Sequence, residues 1–326
     1  MKYFNDYISE GLIKKNSSLR NIKYKPKDKI ELRTIIREKI SKMNDDKINL
    51  LYLADIDVSD ITDMDTLFSG YLASNIVKKI DISGWNTKNV QTMANMFAFC
   101  EYVDEIFGLD DLDISNVERM SSMFHDCSKL EKIDISKWDF RKVNSMVGMF
   151  RNCKKLKEIV GIENIKTDSL TYASGIFYNC WKLTKLDLNN WNTSNLYSVD
   201  HMFYGCKGLK EVRIGNFNMK DVPSIESLFE NCQSLQDIDD LSNWYLPSLH
   251  NLAKAFKKCF NLVRIKGLDN WFKNGKYFQY KDLEDMFNQC INLKDIGDIS
   301  HWDNIHNCRN TFKDTNIDNL PSWYYK

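Results

Sequence analysis

No apolar run in this sequence approaches the roughly 18–20 residues a membrane-spanning helix needs, so no segment reads as one. Net charge is missing as well. The 45 lysines and arginines equal the 45 aspartates and glutamates, which removes any argument from an overall field for a membrane or nucleic-acid partner. Enzyme signatures are lacking: there is no glycine-rich phosphate loop and no nucleophile elbow. The five histidines, His125, His201, His250, His301 and His306, stand at no spacing that gives them a catalytic partner. The expectation is a chain that is not an enzyme and takes no cofactor or metal. Met1 to Ser17 carries Asp6 and Glu10 inside its only apolar stretch, so the uninterrupted core of a signal peptide is absent too. That reading places the protein in the cytoplasm with its nine cysteines reduced, a virion or cell surface being the alternative.

What is present is an ordinary ordered composition, 43% apolar and 28% charged, which excludes a disordered chain. Charge is uneven: residues 1–50 hold 13 basic and 7 acidic side chains, leaving 32 and 38 for the rest.

The cysteines reveal the organisation. Eight follow a phenylalanine by three positions, from Phe97/Cys100 and Phe124/Cys127 to Phe256/Cys259 and Phe287/Cys290, and Phe68 and Phe312 extend the series. The phenylalanines recur every 25 to 31 residues, mostly 26 or 27, the mark of stacked supersecondary units. Aliphatic or methionine residues stand seven, four and one before most of them, as in Val90, Met93 and Met96. This spacing through the phenylalanine predicts a short helix. The following segment, such as Leu130-x-x-Ile133-x-Ile135, changes to period two and predicts a short strand. Repeats of 27 residues place an extra residue at the end of the strand, often a glycine, Gly108 or Gly161, with Gly267 at the same place in the 31-residue repeat, which predicts a bulge where glycine supplies an unusual backbone angle. Trp85, Trp138, Trp191 and Trp244 recur every 53 residues, alternating with Leu112, Ile165 and Phe217. This is a packing device.

The pattern W-N-T-x-x-V-x-x-M-x-x-M-F-x-x-C-x-x-L-x-x-I-D-I-S, carried by Trp85 to Cys100 and Val117 to Ser136, resembles the BspA-like leucine-rich-repeat family over residues 55 to about 320. That family is common in mycoplasmal lipoproteins, bacterial surface proteins and phage genomes. The resemblance implies an α/β leucine-rich-repeat solenoid that acts by binding, typically in adhesion, with no catalytic residues. The expected architecture is about ten strand–helix repeats of 26–27 residues, with a parallel sheet on one face and helices on the other.

Residues 1–50 fall outside the repeat and read as a helical N-terminal cap to a solenoid over 51–326, since an array needs its open end covered. Pro26 precedes a capping box of Asp28 and Glu31, and Ile30, Ile35, Ile36, Ile40 and Met43 form an apolar stripe. The first ten residues could form a shorter helix. Trp323, Tyr324 and Tyr325 are expected to pack across the last repeat as a C-terminal cap. The cysteine column reads as buried small hydrophobes, its spacing matching no zinc pattern. His301, His306 and Cys308 form the best local metal candidate, and coincidence is the better explanation.

Function would sit on side chains flanking the inward aliphatics of each strand, since these point out from the sheet: Glu105/Phe107, Lys132/Asp134, Glu158/Val160, Lys185/Asp187, Glu211/Arg213, Asp237/Asp239 and Arg264/Lys266. Their mixed signs suit a protein partner better than a polyanion. Phe107, and Trp181 with Phe260 one place past the cysteine, are candidate anchors. The insert Asn270 to Lys281, with Trp271, Phe272, Tyr277, Phe278 and Tyr280, is a third candidate surface. The expected function is a non-catalytic protein-interaction module, intracellular or phage-encoded, with inhibition of a host effector as a special case. The alternative is a virion or cell-surface adhesion protein.

Overall fold

The computed structural model describes residues 21–43, 49–72, 76–273 and 279–325. The chain winds into a β-solenoid of about ten coils, one for each phenylalanine of the series. The first parallel ladder takes a short strand from successive coils: β1 (Leu50–Tyr52), β2 (Lys79–Asp81), β3 (Glu105–Phe107), β4 (Lys132–Asp134), β5 (Glu158–Val160), β6 (Lys185–Asp187), β7 (Glu211–Arg213) and β8 (Asp237–Ile238). Pairing is in register from coil to coil, Leu51 with Ile80 and Ile80 with Ile106. The central residue points inward, so Ile133 is buried between exposed Lys132 and half-exposed Asp134, as period two requires.

Among the described residues the repeat helices are not formed; tight turns replace them. The N–H groups of Met96, Ala98 and Cys100 bond to carbonyls three residues back, Met93, Asn95 and Phe97, at 3.2, 3.1 and 3.2 Å. Those of Met93, Asn95, Phe97 and Phe99 cross instead to Arg119, Ser121, Met123 and His125 in the next coil, at 3.0, 2.9, 2.9 and 2.7 Å. An α-helix would send every N–H back along its own chain. Asn95 and Phe99, two residues either side of the phenylalanine, hold φ of 56° and 63°, left-handed angles that stop a helix from propagating. The spacing of three is genuine, but it belongs to stacked turns, whose inward residues Val90, Met93, Met96, Phe97, Cys100 and Val103 are all fully buried.

A second parallel ladder runs five residues before each phenylalanine, through Asp63, Thr92, Arg119, Ser145, Tyr172 and Ser198, and resumes at Ser224, Asn251 and Asp282. Strands β9 (Lys281–Asp282) and β10 (Ile305–Asn307) belong to it. One residue before this line, Gln91, Glu118, Asn144, Thr171 and Tyr197 each donate an N–H to the equivalent carbonyl of the preceding coil. In the next coil that place is Pro223. It has no N–H to give, and the bridge between Ser198 and Ser224 is missing.

Three columns fill the core. The phenylalanines stack in one file from Phe68 to Phe312, with centroids 5.0 to 6.0 Å apart. Each such ring contributes roughly 1.5–3 kcal/mol by burial. Beside them each cysteine from Cys127 to Cys290 donates its S–H to the phenylalanine carbonyl of the coil before, Cys180 to Phe150 at 3.0 Å for example. A thiol suits this place because it is small and apolar yet carries one weak donor. Burial pushes the Cys206 thiol up to about 12. The tryptophan indoles reach back in the same way, Trp138 to Leu109 O at 3.0 Å and Trp191 to Ile162 O at 2.9 Å. Beyond Trp244 the alternation ends, and Trp244, Trp271, Trp302 and Trp323 stack without interruption at 5.5, 6.0 and 6.4 Å.

The glycines of the longer repeats do hold left-handed angles, φ 78° at Gly108 and 88° at Gly161. Each opens a 3-10 turn, Leu109–Asp111 and Ile162–Asn164, in place of the expected bulge. A Cβ on Gly108 would lie 2.3 Å from Ser83 Cα, and one on Gly161 2.4 Å from Ser136 Cα. Each of these coils is therefore drawn onto the one before it. On its far side the first ladder is interrupted, between β3 and β4 and between β5 and β6. A cleft of about 380 Å³ lies at the first interruption, lined by Glu105, Ile106, Leu109, Lys132 and Asp134 among others.

Ahead of the first coil, helix α1 (Lys29–Ser41) begins at Asp28, whose carboxylate accepts the Glu31 N–H at 2.9 Å. The Glu31 carboxylate reaches back to the Lys27 N–H at 3.0 Å, one residue before the predicted partner. Leu32 and Ile36 are the buried residues of α1 and join the solenoid core, with Ile35, Ile40 and Met43 partly buried against it. Ile30, placed in the stripe from sequence, is 76% exposed, because the docked face is set by Leu32, Ile36 and Ile40 one turn apart. Lys39 adds a pair to Asp55 at 2.8 Å, the Asp55 side chain being 5% exposed. The shorter helix expected in the first ten residues lies outside the described residues. At the other end Trp323 stacks on Trp302 and donates to Ile299 O at 3.0 Å. Tyr324 meets Phe312 edge-on, while Tyr325 is 73% exposed.

Candidate binding surface

The outward side chains of the strands line up in columns one coil apart, and along the first of them, from Lys79 to Glu211, opposite charges alternate. Lys79 pairs with Glu105 at 2.6 Å, Lys132 with Glu158 at 3.0 Å and Lys185 with Glu211 at 3.0 Å. Arg213 gathers three acids, Glu211 at 2.7, Asp237 at 2.8 and Asp239 at 3.2 Å, and its guanidinium is held above its usual range by them against the cost of burial. Arg264 pairs with Asp295 at 3.0 Å. Lys266 is exposed and Val160 half-buried.

The last strand residues have a local task. The Asp134 carboxylate accepts the N–H and hydroxyl of Ser136 at 3.0 and 2.6 Å, and these bonds hold it below the usual carboxylate range. Asp187 accepts the Asn189 N–H at 3.1 Å. Such Asx turns bend the chain out of the strand.

Of the aromatic candidates, Phe107 is half-buried with the Lys79 ammonium 5.7 Å from its ring centre, beside the cleft. Phe260 is half-buried, its carbonyl accepting from Asn292 at 2.8 Å. The insert divides. Trp271 and Phe272 are core residues, 1% and 6% exposed, and Lys281 is buried with its ammonium on the Asp303 carbonyl at 2.8 Å. Tyr280 is exposed, and Tyr277 and Phe278 lie outside the described residues. In the metal candidate, His301 donates to Trp271 O at 2.8 Å and His306 to Lys281 O at 2.9 Å. Both imidazoles are thereby tied to the preceding coil.

Trp181 is different. It is 36% exposed, and the Lys154 and Lys207 ammonium groups, from the coils before and after, each stand 5.1 Å from its ring centre. Both lysines occupy the same register as Trp181, so stacking the coils brings cation, indole and cation into one file. A second row adjoins it, one place past each phenylalanine. There Arg151 lies 4.1 Å over Tyr178 and Tyr178 stacks on Tyr204 at 4.4 Å, while His201, two places before its phenylalanine, tilts against Tyr204 at 5.9 Å. This row does not read as outward from sequence, because its residues follow directly on a buried phenylalanine in a segment expected to be helical. The recurrence of His125, Arg151, Tyr178 and Tyr204 directly after buried phenylalanines was the available signal.

Comparison with known proteins bears on this arrangement through the repeat itself. The model of DUF285, described as a Mycoplasma protein of unknown function, matches residues 36–162, 157–271 and 236–324. The chain belongs to this family. DUF285 membership supports the BspA-like resemblance carried by the repeat motif. A search of curated proteins found no match. Among solved structures the DUF285 chain is similar to a leucine-rich-repeat protein from Bacteroides ovatus, with 20% identity and a TM-score of 0.42, over 74% of this chain and 66% of that one. A leucine-rich-repeat protein from Eubacterium ventriosum gives 14% identity and a TM-score of 0.36, over 87% and 88%. The Treponema counterpart, TpLRR of T. pallidum, gives 17% and 0.34, over 58% and 69%.

Proposed function

We propose that this chain is a non-catalytic module that binds a protein partner through the solenoid surface, with Trp181 as its anchor. The observation that carries the proposal is the exposed indole fixed between Lys154 and Lys207. Tryptophan, tyrosine and arginine dominate the energetics of protein interfaces, most of all where a large ring is already held in place. Tyr178, Tyr204 and Arg151 beside it are of the same kind. Phe107, Phe260 and Lys266 extend the surface. The strand charges Lys132, Glu158, Lys185, Glu211, Arg213 and Arg264, already paired within the chain, serve as its polar rim.

The same reading places the protein inside the cell, where a column of unpaired thiols is chemically at home. It takes residues 1–50 as a cap on the first coil. The test is affinity capture with the purified chain from a lysate of its own cells, read by mass spectrometry, beside a W181A variant. One protein in near-equal amount, lost with W181A, is the expected result; loss of that protein's own activity on binding would make the chain an inhibitor. Capture of nothing from the lysate, with retention on intact cells, would replace this reading by adhesion.

A further inference from the structure

Where the chain leaves the phenylalanine turn, four successive coils place Ser128-Lys129, Lys154-Lys155, Trp181-Lys182 and Lys207-Gly208 one and two past the cysteine. The cations of this ridge are not neutralised as those of the sheet are. The neighbouring Lys132, Lys157 and Lys185 are each paired with a glutamate of an adjacent coil. Among the described residues Lys129, Lys154, Lys155, Lys182, Lys207 and the adjoining Arg151 form no ion pair with a carboxylate. Asp126, one coil before Arg151, contacts the His125 imidazole at 2.9 Å. Aromatic rings hold three of these cations in position. Coils in a parallel ladder stand roughly 4.8 Å apart, so four of them present a basic ridge about 15 Å long. It ends on both sides, with Glu101 in the coil before and Gln233 in the coil after.

We infer that this ridge docks an acidic segment of a protein partner, laid along the solenoid axis. The inference rests on the proposed function and names the chemistry of the partner. A row of cations without ion-pair partners over four coils suits an anionic occupant, and the rings decide which kind. Sequence-tolerant binding of single-stranded nucleic acid relies on open aromatic faces on which bases stack. Here Trp181 has a lysine from the coil on each side, and Tyr178 lies between Arg151 and Tyr204. With the faces taken, the ridge offers ring edges and ammonium groups, which suit carboxylates on a protein chain and the apolar side chains between them.

The test is a fluorescence-anisotropy titration of a labelled octaglutamate peptide with the full chain. The K129E/K155E/K182E variant reverses three exposed lysines that touch no ring. K88E/K166E/K220E makes the same change of net charge at exposed lysines off the ridge. Saturable binding that weakens at least about tenfold in the ridge variant and at about 0.5 M salt, but survives in the control variant, is expected. W181A provides a second, neutral probe and should weaken binding about threefold or more. Equal binding to both charge variants overturns the inference, as does no binding by the native chain. Tighter ridge-dependent binding of octathymidylate would overturn it in favour of nucleic acid. A partner captured from lysate that still binds the ridge variant would leave the module reading standing and remove this one.

Discussion

Gly161 lies against Ser136 so closely that a Cβ on it would sit 2.4 Å from the Ser136 Cα and 2.9 Å from its N. The contact is with backbone, which cannot swing aside, and φ is 88°. Gly161→Ala therefore combines left-handed strain with forced separation of two coils, and about 2–4 kcal/mol of stability should be lost. Gly175 also has positive φ, at 60°, but a Cβ there meets nothing nearer than Tyr178 Cβ at 3.8 Å. Gly175→Ala should cost only about 1 kcal/mol. Urea midpoints of the two variants give the comparison, and equal losses would refute the backbone-contact account.

The thiols supply a chemical test of the core. Burial raises Cys153, Cys180, Cys206 and Cys232 above the usual thiol range, and the thiolate is the reactive form. Eight of the nine cysteines are buried and Cys308 is partly exposed. Treated with a disulfide reagent near neutral pH, the native protein should release one equivalent promptly, and all nine only after denaturation. Prompt reaction of several would show that the coils do not exclude solvent as described.

His125 predicts a pH dependence. Burial is the main force lowering its pKa, opposed by Asp126 and aided by Arg151. Between the folded value and the unfolded value of about 6.5 the unfolded chain binds more protons, so stability rises with pH in that window. It is lost as pH falls from about 6.5 through the folded value. His125→Phe keeps a ring against Phe99, now 5.0 Å from the imidazole, and removes the proton. Its melting temperature should fall less than the parent's between about pH 7.5 and pH 5.5. An unchanged difference would assign that acid sensitivity elsewhere.

Lys39 tests the docking of α1. Its ammonium is bidentate on Asp55, at 2.8 and 3.0 Å, and the Asp55 side chain is 5% exposed. Among the described residues, Lys39→Met leaves that carboxylate paired only with Lys23, at 4.0 Å. A buried charge stripped of its close partner costs about 3 kcal/mol. The loss should appear as faster amide exchange across α1 and the first coil, with the middle coils unaffected, since a repeat array couples only neighbours. Uniform loss of protection would contradict this.

Much of the fold was legible because a repeat writes its own register. Buried positions recurred at the period of the coil, so Phe177, Cys180 and Trp191 could be placed in the core without knowing the backbone between them. The capping aspartate and the left-handed glycines were also readable, each being set by local backbone geometry. Whether Val90 to Cys100 forms a helix was not. Apolar residues three apart fit a helix and a stack of turns equally, and what separates the two is where the N–H groups of Met93, Asn95 and Phe97 go. Their acceptors are a full period away in sequence and adjacent only once the coils stack. The surface was undecided for the same reason. Side-chain identity gave the charges at Lys132, Glu158, Lys154 and Lys207, but only the stacking of coils neutralises the first two against each other and sets the other two against Trp181.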